Sequence, residues 1–314
     1  MTRTHTHSRW RLWAALSLFV TINLVYWQDP WFWRNYLQFF LSGSPTEVEL
    51  LAPDEEIRGD GSFVLPVARP EARSISAAAL ADMERFAADF GSHALIVVHR
   101  GVIQDEWYAP HWQRDQLTQS QSMHKSLLGL FIGMVLERAY GQRYSELLRD
   151  KLWLPMGGER ARVHTDRPNG RAYTSCCLAA PAMDWVRIGM LLLGKGAVNG
   201  RRIVSADWIE QMIAPSPAAA HYGLQIWLGS GDPAVPQEHA GSSGALVSGP
   251  FLARDTFMTW GRGQQHVFVV PSRELVIVRL GPALGRAPIK PGFDLVYLVN
   301  TAIQGMQPAT GTSP

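Results

Sequence analysis

The sequence predicts an α/β (α+β) fold in which both ends of the chain supply strands to one antiparallel sheet. Helices flank the sheet, and a reduced helical region is inserted between the two sets of strands. Alternating or continuous apolar runs at residues 93–108 and 265–281 indicate the strands, whereas helical patterns fill most of the stretch between them. With 314 residues and 46% hydrophobic composition, the chain can bury a sizeable core.

Composition and motif content exclude several classes of function. The net charge is only +2, and the basic residues are scattered, so no nucleic-acid-binding face is expected. The ten histidines form no metal-ligand spacing, and phosphate-binding glycine loops are missing, so neither a metal nor another cofactor is predicted. Cys176 and Cys177 are adjacent, which rarely suits disulfide geometry, and we expect two small buried thiols.

Residues 1–33 are predicted to form a cytoplasmic tail and a transmembrane signal anchor. Leu12 to Trp27 contains 16 residues without a charge, flanked by aromatic side chains. Arginines precede this run and acidic residues follow it, so the main domain is expected in the periplasm, anchored in a bacterial inner membrane. A cleavable signal peptide is a rival interpretation, although no small-x-small cleavage site follows the run. A buried helix of the main domain is a third.

The remaining chain divides into an arm at residues 34–75 and a domain at residues 76–314. The arm mixes proline, glycine and acidic residues without periodicity, which is typical of a linker. Ser76 is predicted to cap a helix that ends at Gly91. Two β-rich runs, His93 to His99 and Val102 to Tyr108, should form a hairpin that turns at residues 100–101.

Downstream patterns predict five helices and two further strands. The helix that starts at Ser122 and extends to about Tyr140 is apolar on every side, so it should be central and buried. The other helices are expected at residues 144–157, 181–196, 205–213 and 293–306, and the strands at 265–271 and 274–281.

The stretch SMHKS places Ser122 and Lys125 three residues apart at the start of that buried helix. Residues i and i+3 share a helix face, and the unpaired N–H groups of a helix N-terminus favour a developing anion. A lysine that loses solvation there can act as a base and activate the serine hydroxyl. The alternative is a serine N-cap beside a lysine that extends to solvent, with no chemistry.

Several segments in order resemble the serine β-lactamase and penicillin-binding-protein superfamily. SMHKS follows the hairpin HALIVVHRGVIQDEWY, and YSELLRDKLWLPMG, TSCCLAAPAMDWVRIGMLLLGKG and WGRGQQHVFVVPSRELVIVRLG follow later. Within the superfamily the chain is most similar to class C-type and 6-aminohexanoate-dimer hydrolase-like enzymes. The resemblance extends from about Ser76 to the C-terminus.

The resemblance implies a role for each matching residue. Ser122 would be the acylated nucleophile and Lys125 its general base, and the N–H of Ser122 would form half of an oxyanion hole. The other half and the substrate contacts would come from the segment Arg262, Gly263, Gln264, Gln265 and His266. If Arg262 takes the family's cationic place, Gln264 stands where relatives have glycine. Alternatively, Arg262 is simply a solvated charge on an edge strand.

The family's third element, a tyrosine in a Tyr-x-Asn motif, has no good match. The block that should contain it, between the helix of Ser122 and that of residues 144–157, is almost missing. Tyr173 has suitable chemistry but falls later in the chain, where a core or loop tyrosine is the alternative; Tyr140 and Tyr144 match less well.

The expected function is hydrolysis of an amide or ester in a small molecule or peptide. Loss of the tyrosine could cost part of the ~10²–10⁴-fold contribution of general acid–base catalysis. The alternative is therefore a weak or inactive relative that binds cell-wall peptides or a membrane partner. A purely structural anchored domain is a further alternative, which leaves SMHKS unexplained.

Overall fold

The computed structural model describes residues 6–26, 29–34, 37, 53–135, 142–217, 219–229, 250–281 and 294–307. Its largest element is a six-stranded antiparallel sheet. The strands are β2 (Ala94–His99), β3 (Val102–Tyr108), β9 (Trp227–Leu228), β10 (Phe257–Gly261), β11 (Gln265–Val270) and β12 (Leu275–Leu280). They lie in the order β3-β2-β12-β11-β10-β9. Because β2 pairs with β12, both ends of the domain meet in one sheet, which confirms the predicted fold class.

Residues with positive φ form the turns of two hairpins in the six-stranded sheet. Arg100 and Gly101 both have positive φ, at 52° and 73°, as a tight two-residue hairpin turn requires. A 3₁₀ turn, Pro271–Arg273, joins β11 to β12 and ends at Glu274, which also has positive φ. Every residue of β2, β11 and β12 is buried, because helices cover both faces of the sheet.

The α-helices of the described residues are numbered in chain order. They are α1 (Thr6–Tyr26), α2 (Ala77–Asp89), α3 (His124–Val135), α4 (Tyr144–Leu148), α5 (Ala182–Leu193), α6 (Ala206–Met212) and α7 (Leu295–Gln304), and a π turn, Arg149–Trp153, extends α4. Ser76 caps α2 as predicted, because its side chain accepts a hydrogen bond from the Ala79 amide at 3.2 Å. One apolar cluster joins α2 and α7 to the sheet, and a second cluster joins α3 and α5 to its other face.

A second, four-stranded sheet was not predicted. It is formed by β1 (Asp54–Arg58), β4 (Thr118–Gln119), β5 (Arg160–His164) and β6 (Leu178–Ala180), in the order β1-β5-β6-β4. Strand β1 lies in the segment interpreted as an arm, and it pairs antiparallel with β5. A two-stranded ribbon, β7 (Ala197–Val198) and β8 (Arg201–Arg202), follows α5.

A buried ion pair fastens the arm to α5. Arg187 donates to Asp184 at 2.6 Å and to the carbonyl of Phe63 at 2.9 Å, while Asp184 accepts from the amide of Glu159 at 2.9 Å. Burial raises the pKa of Asp184 to about 7, although Arg187 opposes the shift. Asp184 therefore anchors the first turn of its helix. The N-cap position is occupied by Pro181.

The predicted signal anchor is wrong. In the part of the chain that the structure describes, no helix has both the length and the apolar character needed to cross a membrane. Helix α1 has 21 residues, but polar and basic residues fill its first turns and its uncharged part begins only at Leu12. The predictions of an inner-membrane location with a periplasmic domain, and of membrane contact through this helix, are wrong with it.

The prediction of two free thiols is also wrong. Cys176 and Cys177 form a disulfide between neighbouring residues, just before β6. Cys177 has a φ of 73°, a backbone conformation that composition does not reveal. Some predicted features lie outside the described residues, namely residues 35–36 and 38–52 of the arm, the extension of α3 towards the C-terminus, and Tyr140.

Candidate active site

Ser122 lies in a 3₁₀ turn, Gln121–Met123, that connects β4 to α3. The amide of Ser120 donates to the carbonyl of Leu178 at 2.9 Å, so the turn is held against β6. Gln121 has a φ of 50°, which redirects the chain into the helix. As a result, the half-buried hydroxyl of Ser122 stands at the N-terminal end of a buried helix, where helix geometry favours negative charge.

The structure brings Lys125 to Ser122. The ammonium Nζ of Lys125 donates to Ser122 Oγ over 3.4 Å, and both side chains are half-buried. This distance is long for a strong hydrogen bond, but catalytic contacts in free enzymes often tighten only when substrate binds. The contact places Nζ beside the serine hydroxyl, where lysine in its neutral amine form would be in position to accept the serine proton.

His124 fixes the backbone between these two residues. Its imidazole is fully buried, with Nδ1 2.6 Å from the Cys176 carbonyl and Nε2 2.8 Å from the Tyr144 hydroxyl. Burial lowers the pKa of His124 to about 4, so the ring is neutral at pH 7. The neutral ring donates to Cys176 and accepts from Tyr144, and in this way it ties the start of α3 to α4 and to the disulfide.

The tip of the β10–β11 hairpin, residues 262–264, adjoins the same turn. A Cβ atom added to Gly261, the last residue of β10, would clash with the Ser120 carbonyl and lie 3.1 Å from the Met123 amide nitrogen. Gly263 and Gln264 both have positive φ, at 80° and 63°. Gln264 thus adopts a conformation that favours glycine, which is the residue that the resemblance implies at this place.

The predicted substrate-contacting side chains have different positions. Arg262 is exposed at the hairpin tip. Gln265 is buried, and its side-chain amide hydrogen-bonds both the amide and the carbonyl of Gly281. His266 stacks on Phe268, 5.0 Å away, on the sheet face that carries α2 and α7, whereas Ser122 lies on the other face. Burial holds the pKa of His266 well below its usual value.

Tyr173 lies at the edge of this region. Its half-exposed ring stacks on His164 with the centroids 4.9 Å apart, and its amide donates to the His164 carbonyl at 2.9 Å. Burial raises the pKa of the Tyr173 phenol. The Tyr173 ring therefore packs against the end of β5, and its backbone bonds the same residue, His164.

A loop at residues 222–226 packs on α3 next to Lys125, from Ser126 to Gly129. Ser126 donates to the carbonyl of Gln225 at 2.6 Å, and the Tyr222 hydroxyl donates to the Gln225 side chain at 3.1 Å. The indole of Trp208 donates to the Gly129 carbonyl at 3.0 Å. This loop and α6 pack on the same side of α3 and cover that side of the helix. The sequence did not predict this packing.

The sequence interpretation assigned no role to His124 or Arg279, and it considered Tyr144 only as a poor match to the family's tyrosine. His124 lies within the SMHKS motif, and Arg279 is a charged residue in an otherwise apolar strand. Both positions could have been recognised from the sequence. Tyr144 carried no comparable signal, because its partner lies 20 residues away across a poorly patterned segment.

Comparisons with known proteins extend these observations. No protein-family model matches the chain. The 6-aminohexanoate-dimer hydrolase of Paenarthrobacter ureafaciens is 30% identical over 83 residues, which are 26% of this chain and 21% of that protein. The chain thus matches about a fifth of the length of this curated relative.

Solved structures match over much more of the chain. A Bacillus anthracis protein, provisionally described as a 6-aminohexanoate-dimer hydrolase, has a TM-score of 0.60 and 16% identity, with 88% of this chain and 94% of that chain covered. A Bacteroides dorei protein, provisionally described as a β-lactamase, has a TM-score of 0.52 and 13% identity, with 74% and 99% covered. The chain has the β-lactamase and penicillin-binding-protein fold.

A penicillin-binding-protein homologue from Caulobacter crescentus agrees with this fold, with a TM-score of 0.50, 12% identity, and 73% and 97% of the two chains covered. The predicted resemblance to the β-lactamase superfamily is therefore confirmed. At 12% to 16% identity the structural matches establish the fold, and the choice of substrate has to be argued from the site.

Proposed function

We propose that the protein is a serine hydrolase that cleaves an amide or an ester through an acyl-enzyme on Ser122. The observation that carries the proposal is the contact between Lys125 Nζ and Ser122 Oγ, 3.4 Å apart at the N-terminus of a buried helix. A hydroxyl needs such a neighbouring base to become a nucleophile. The names of the similar proteins, which include 6-aminohexanoate-dimer hydrolases and a β-lactamase, support a hydrolase.

The proposed reaction has two stages. Ser122 Oγ attacks the substrate carbonyl while its proton passes to Lys125 in its neutral amine form, which becomes an ammonium, and the carbonyl oxygen becomes an oxyanion. The N–H of Ser122 and an N–H from the hairpin tip at residues 262–264 stabilise that oxyanion. The tetrahedral intermediate then expels an amine or alcohol that takes up the proton, and water hydrolyses the ester left on Ser122.

The roles of Arg262, Gln265, His266 and Tyr173 remain predictions from the sequence. The exposed position of Arg262 suits contact with an anionic group of the substrate, whereas Gln265 and His266 would act by shaping the hairpin. The phenol of Tyr173 could assist proton transfer only if it left its stack on His164.

The test is intact-mass spectrometry of the full chain after incubation with a fluorophosphonate and, separately, with a penicillin. We expect one adduct on the wild-type protein, none on Ser122→Ala, and formation at least ~100-fold slower on Lys125→Ala. Ser120→Ala is the matched control, because its buried hydroxyl lies two residues away and should leave the adduct unchanged.

The competing function is a catalytically silent relative that binds cell-wall peptides. Folded wild-type protein that forms no adduct with either reagent would exclude the hydrolase and favour this binding function. An adduct that persists in Ser122→Ala would place the reactive group elsewhere and would also contradict the proposal.

A further inference from the structure

Arg279 is a buried cation behind the proposed oxyanion hole. Its side chain is 2% exposed and donates to four oxygens. Nη1 bonds the carbonyls of Gly263 at 2.7 Å and Gln264 at 2.9 Å. Nε bonds the Ser92 hydroxyl at 3.0 Å, and Nη2 bonds the Phe90 carbonyl at 3.3 Å. Two successive peptides of the hairpin tip therefore share one guanidinium nitrogen.

These bonds stabilise an unfavourable backbone conformation. Gln264 has a φ of 63°, a left-handed conformation that is unfavourable for a residue with a side chain. Charge-assisted hydrogen bonds from a buried guanidinium are roughly twice as strong as neutral ones. Arg279 thus opposes the tendency of a non-glycine residue to leave this conformation.

The same bonds set the direction of the N–H groups at the tip. In a trans peptide the C=O and the N–H point in opposite directions. The Gly263 carbonyl points at Arg279, which lies on the sheet face of α2 and α7, so the N–H of Gln264 points to the other face. That is the face on which the turn of Ser122 packs against Gly261.

The surrounding residues leave room for this arrangement. A Cβ atom on Gly281 would lie 2.6 Å from both terminal guanidinium nitrogens of Arg279. The Gln265 side chain accepts from the Gly281 amide at 3.0 Å, which keeps the end of β12 beside the hairpin tip. Gly281 and Gln265 therefore define the space that Arg279 occupies.

We propose that Arg279 is a positioning residue that orients the hairpin tip so that its N–H groups face the carbonyl held at Ser122. The inference rests on the proposed hydrolase function, because it concerns the geometry of that reaction's oxyanion hole. Arg279 contacts neither the substrate nor Ser122; it acts through the peptides of Gly263 and Gln264.

The test measures how fast the fluorophosphonate adduct forms as the reagent concentration is varied, which separates reagent binding from bond formation. In Arg279→Met we expect the rate constant for bond formation to fall about tenfold or more, with reagent binding within about twofold of wild type, because oxyanion stabilisation acts in the transition state. Arg279→Lys should fall between the two, since a single ammonium nitrogen can bond the two carbonyls but lacks the other nitrogens that bond Ser92 and Phe90 and hold the guanidinium in place.

Two further variants keep the test decisive. Gly281→Ala, which crowds the guanidinium while retaining it, should slow bond formation in the same way, and it decides the question if Arg279→Met does not fold. Arg273→Met is the matched control at the opposite, exposed end of the β11–β12 hairpin, and should react at the wild-type rate.

The outcomes distinguish the two proposals. If wild-type protein reacts and the folded Arg279→Met or Gly281→Ala variants react equally fast, the positioning role is wrong and the hydrolase stands. If variants lose reagent binding and thermal stability together, without a separate fall in the bond-forming rate constant, Arg279 is only structural. If wild-type protein forms no adduct, the hydrolase function is wrong and the role of Arg279 falls with it.

Discussion

The two larger sheets of the molecule are built in opposite ways. The six-stranded sheet contains three hairpins of neighbouring strands, β2–β3, β10–β11 and β11–β12, and long buried runs. The four-stranded sheet joins short segments from distant parts of the chain, such as β1 with β5, more than 100 residues apart. The larger sheet has fully buried strands, so substitutions there should mainly lower stability. The smaller sheet holds the turn of the nucleophile through a few specific hydrogen bonds.

The two sheets meet at the turn that carries Ser122. On one side the amide of Ser120 is bonded to β6 of the smaller sheet, and on the other side Gly261 of the larger sheet touches the same turn. The position of the nucleophile therefore depends on both sheets at once, and changes in each should separate their contributions.

The largest effect is expected from Gly261→Ala, which breaks the junction. The added methyl group would clash with the backbone of Ser120, and backbone cannot move aside as cheaply as a flexible side chain. We expect formation of the fluorophosphonate adduct to slow by about 100-fold or more, because the clash displaces the hairpin tip, which supplies an oxyanion donor. Gly200→Ala, in the β7–β8 turn where an added Cβ meets no atom within 4 Å, should keep the wild-type rate. A normal rate in Gly261→Ala would contradict the close junction.

A pair of core substitutions compares the sheets directly. Ile57 in β1 and Ile277 in β12 are both completely buried, so each change to alanine should lower the free energy of unfolding by about 2–5 kcal/mol. Chemical denaturation measures this. We also expect Ile57→Ala to slow adduct formation more than Ile277→Ala, because β1 supports the elements that hold His124. Equal adduct rates at equal loss of stability would remove the proposed difference between the sheets.

An effect that is absent at neutral pH and develops only in acid concerns the hydrogen bonds made by His124. Burial lowers its pKa from 6.5 to about 4, so between these values the unfolded chain binds a proton that the folded chain does not. The stability contributed by neutral His124 is complete above pH 6.5 and is lost as the pH falls towards 4, by about 3 kcal/mol.

Urea denaturation between pH 4 and 7 checks this prediction. His124→Gln keeps polar atoms at the site but does not titrate, so its stability should fall less steeply with acid. Burial also lowers the pKa values of His93 and His164 to about 4 and raises that of Asp184 to about 7, and these groups form a common background in both proteins. Parallel pH profiles would show that His124 does not govern acid sensitivity.

The sequence predicted the larger sheet well because its strands have clear apolar patterns and recognisable turns. Residues 93–108 and 265–281 contain β2, β3, β11 and β12, with boundaries that differ by a residue or so. The smaller sheet has strands of two to five residues without a period, and its partners are set by tertiary contacts, so no local pattern could reveal it.

The candidate site was predictable to a similar extent. The three-residue spacing placed Ser122 and Lys125 together, because helix geometry determines it. The hairpin tip was located, but the sequence could not show which side chains of residues 262–266 face the serine, since those directions depend on the turn at Gly263 and Gln264. The anchor prediction failed because hydrophobicity alone does not distinguish a short apolar helix from a spanning one.

Strand β1 links the start of the described domain to the serine through a short relay of contacts. Glu55 pairs with Arg143 and accepts from Ser145, the two neighbours of Tyr144, whose phenol bonds His124 beside the nucleophile. A fragment of the protein must therefore contain all the residues that make these contacts. A fragment that starts at residue 76 would retain every residue proposed for the chemistry and still lack the segment on which their alignment depends, so recombination with related domains should exchange residues 53–65 and 142–164 as one unit.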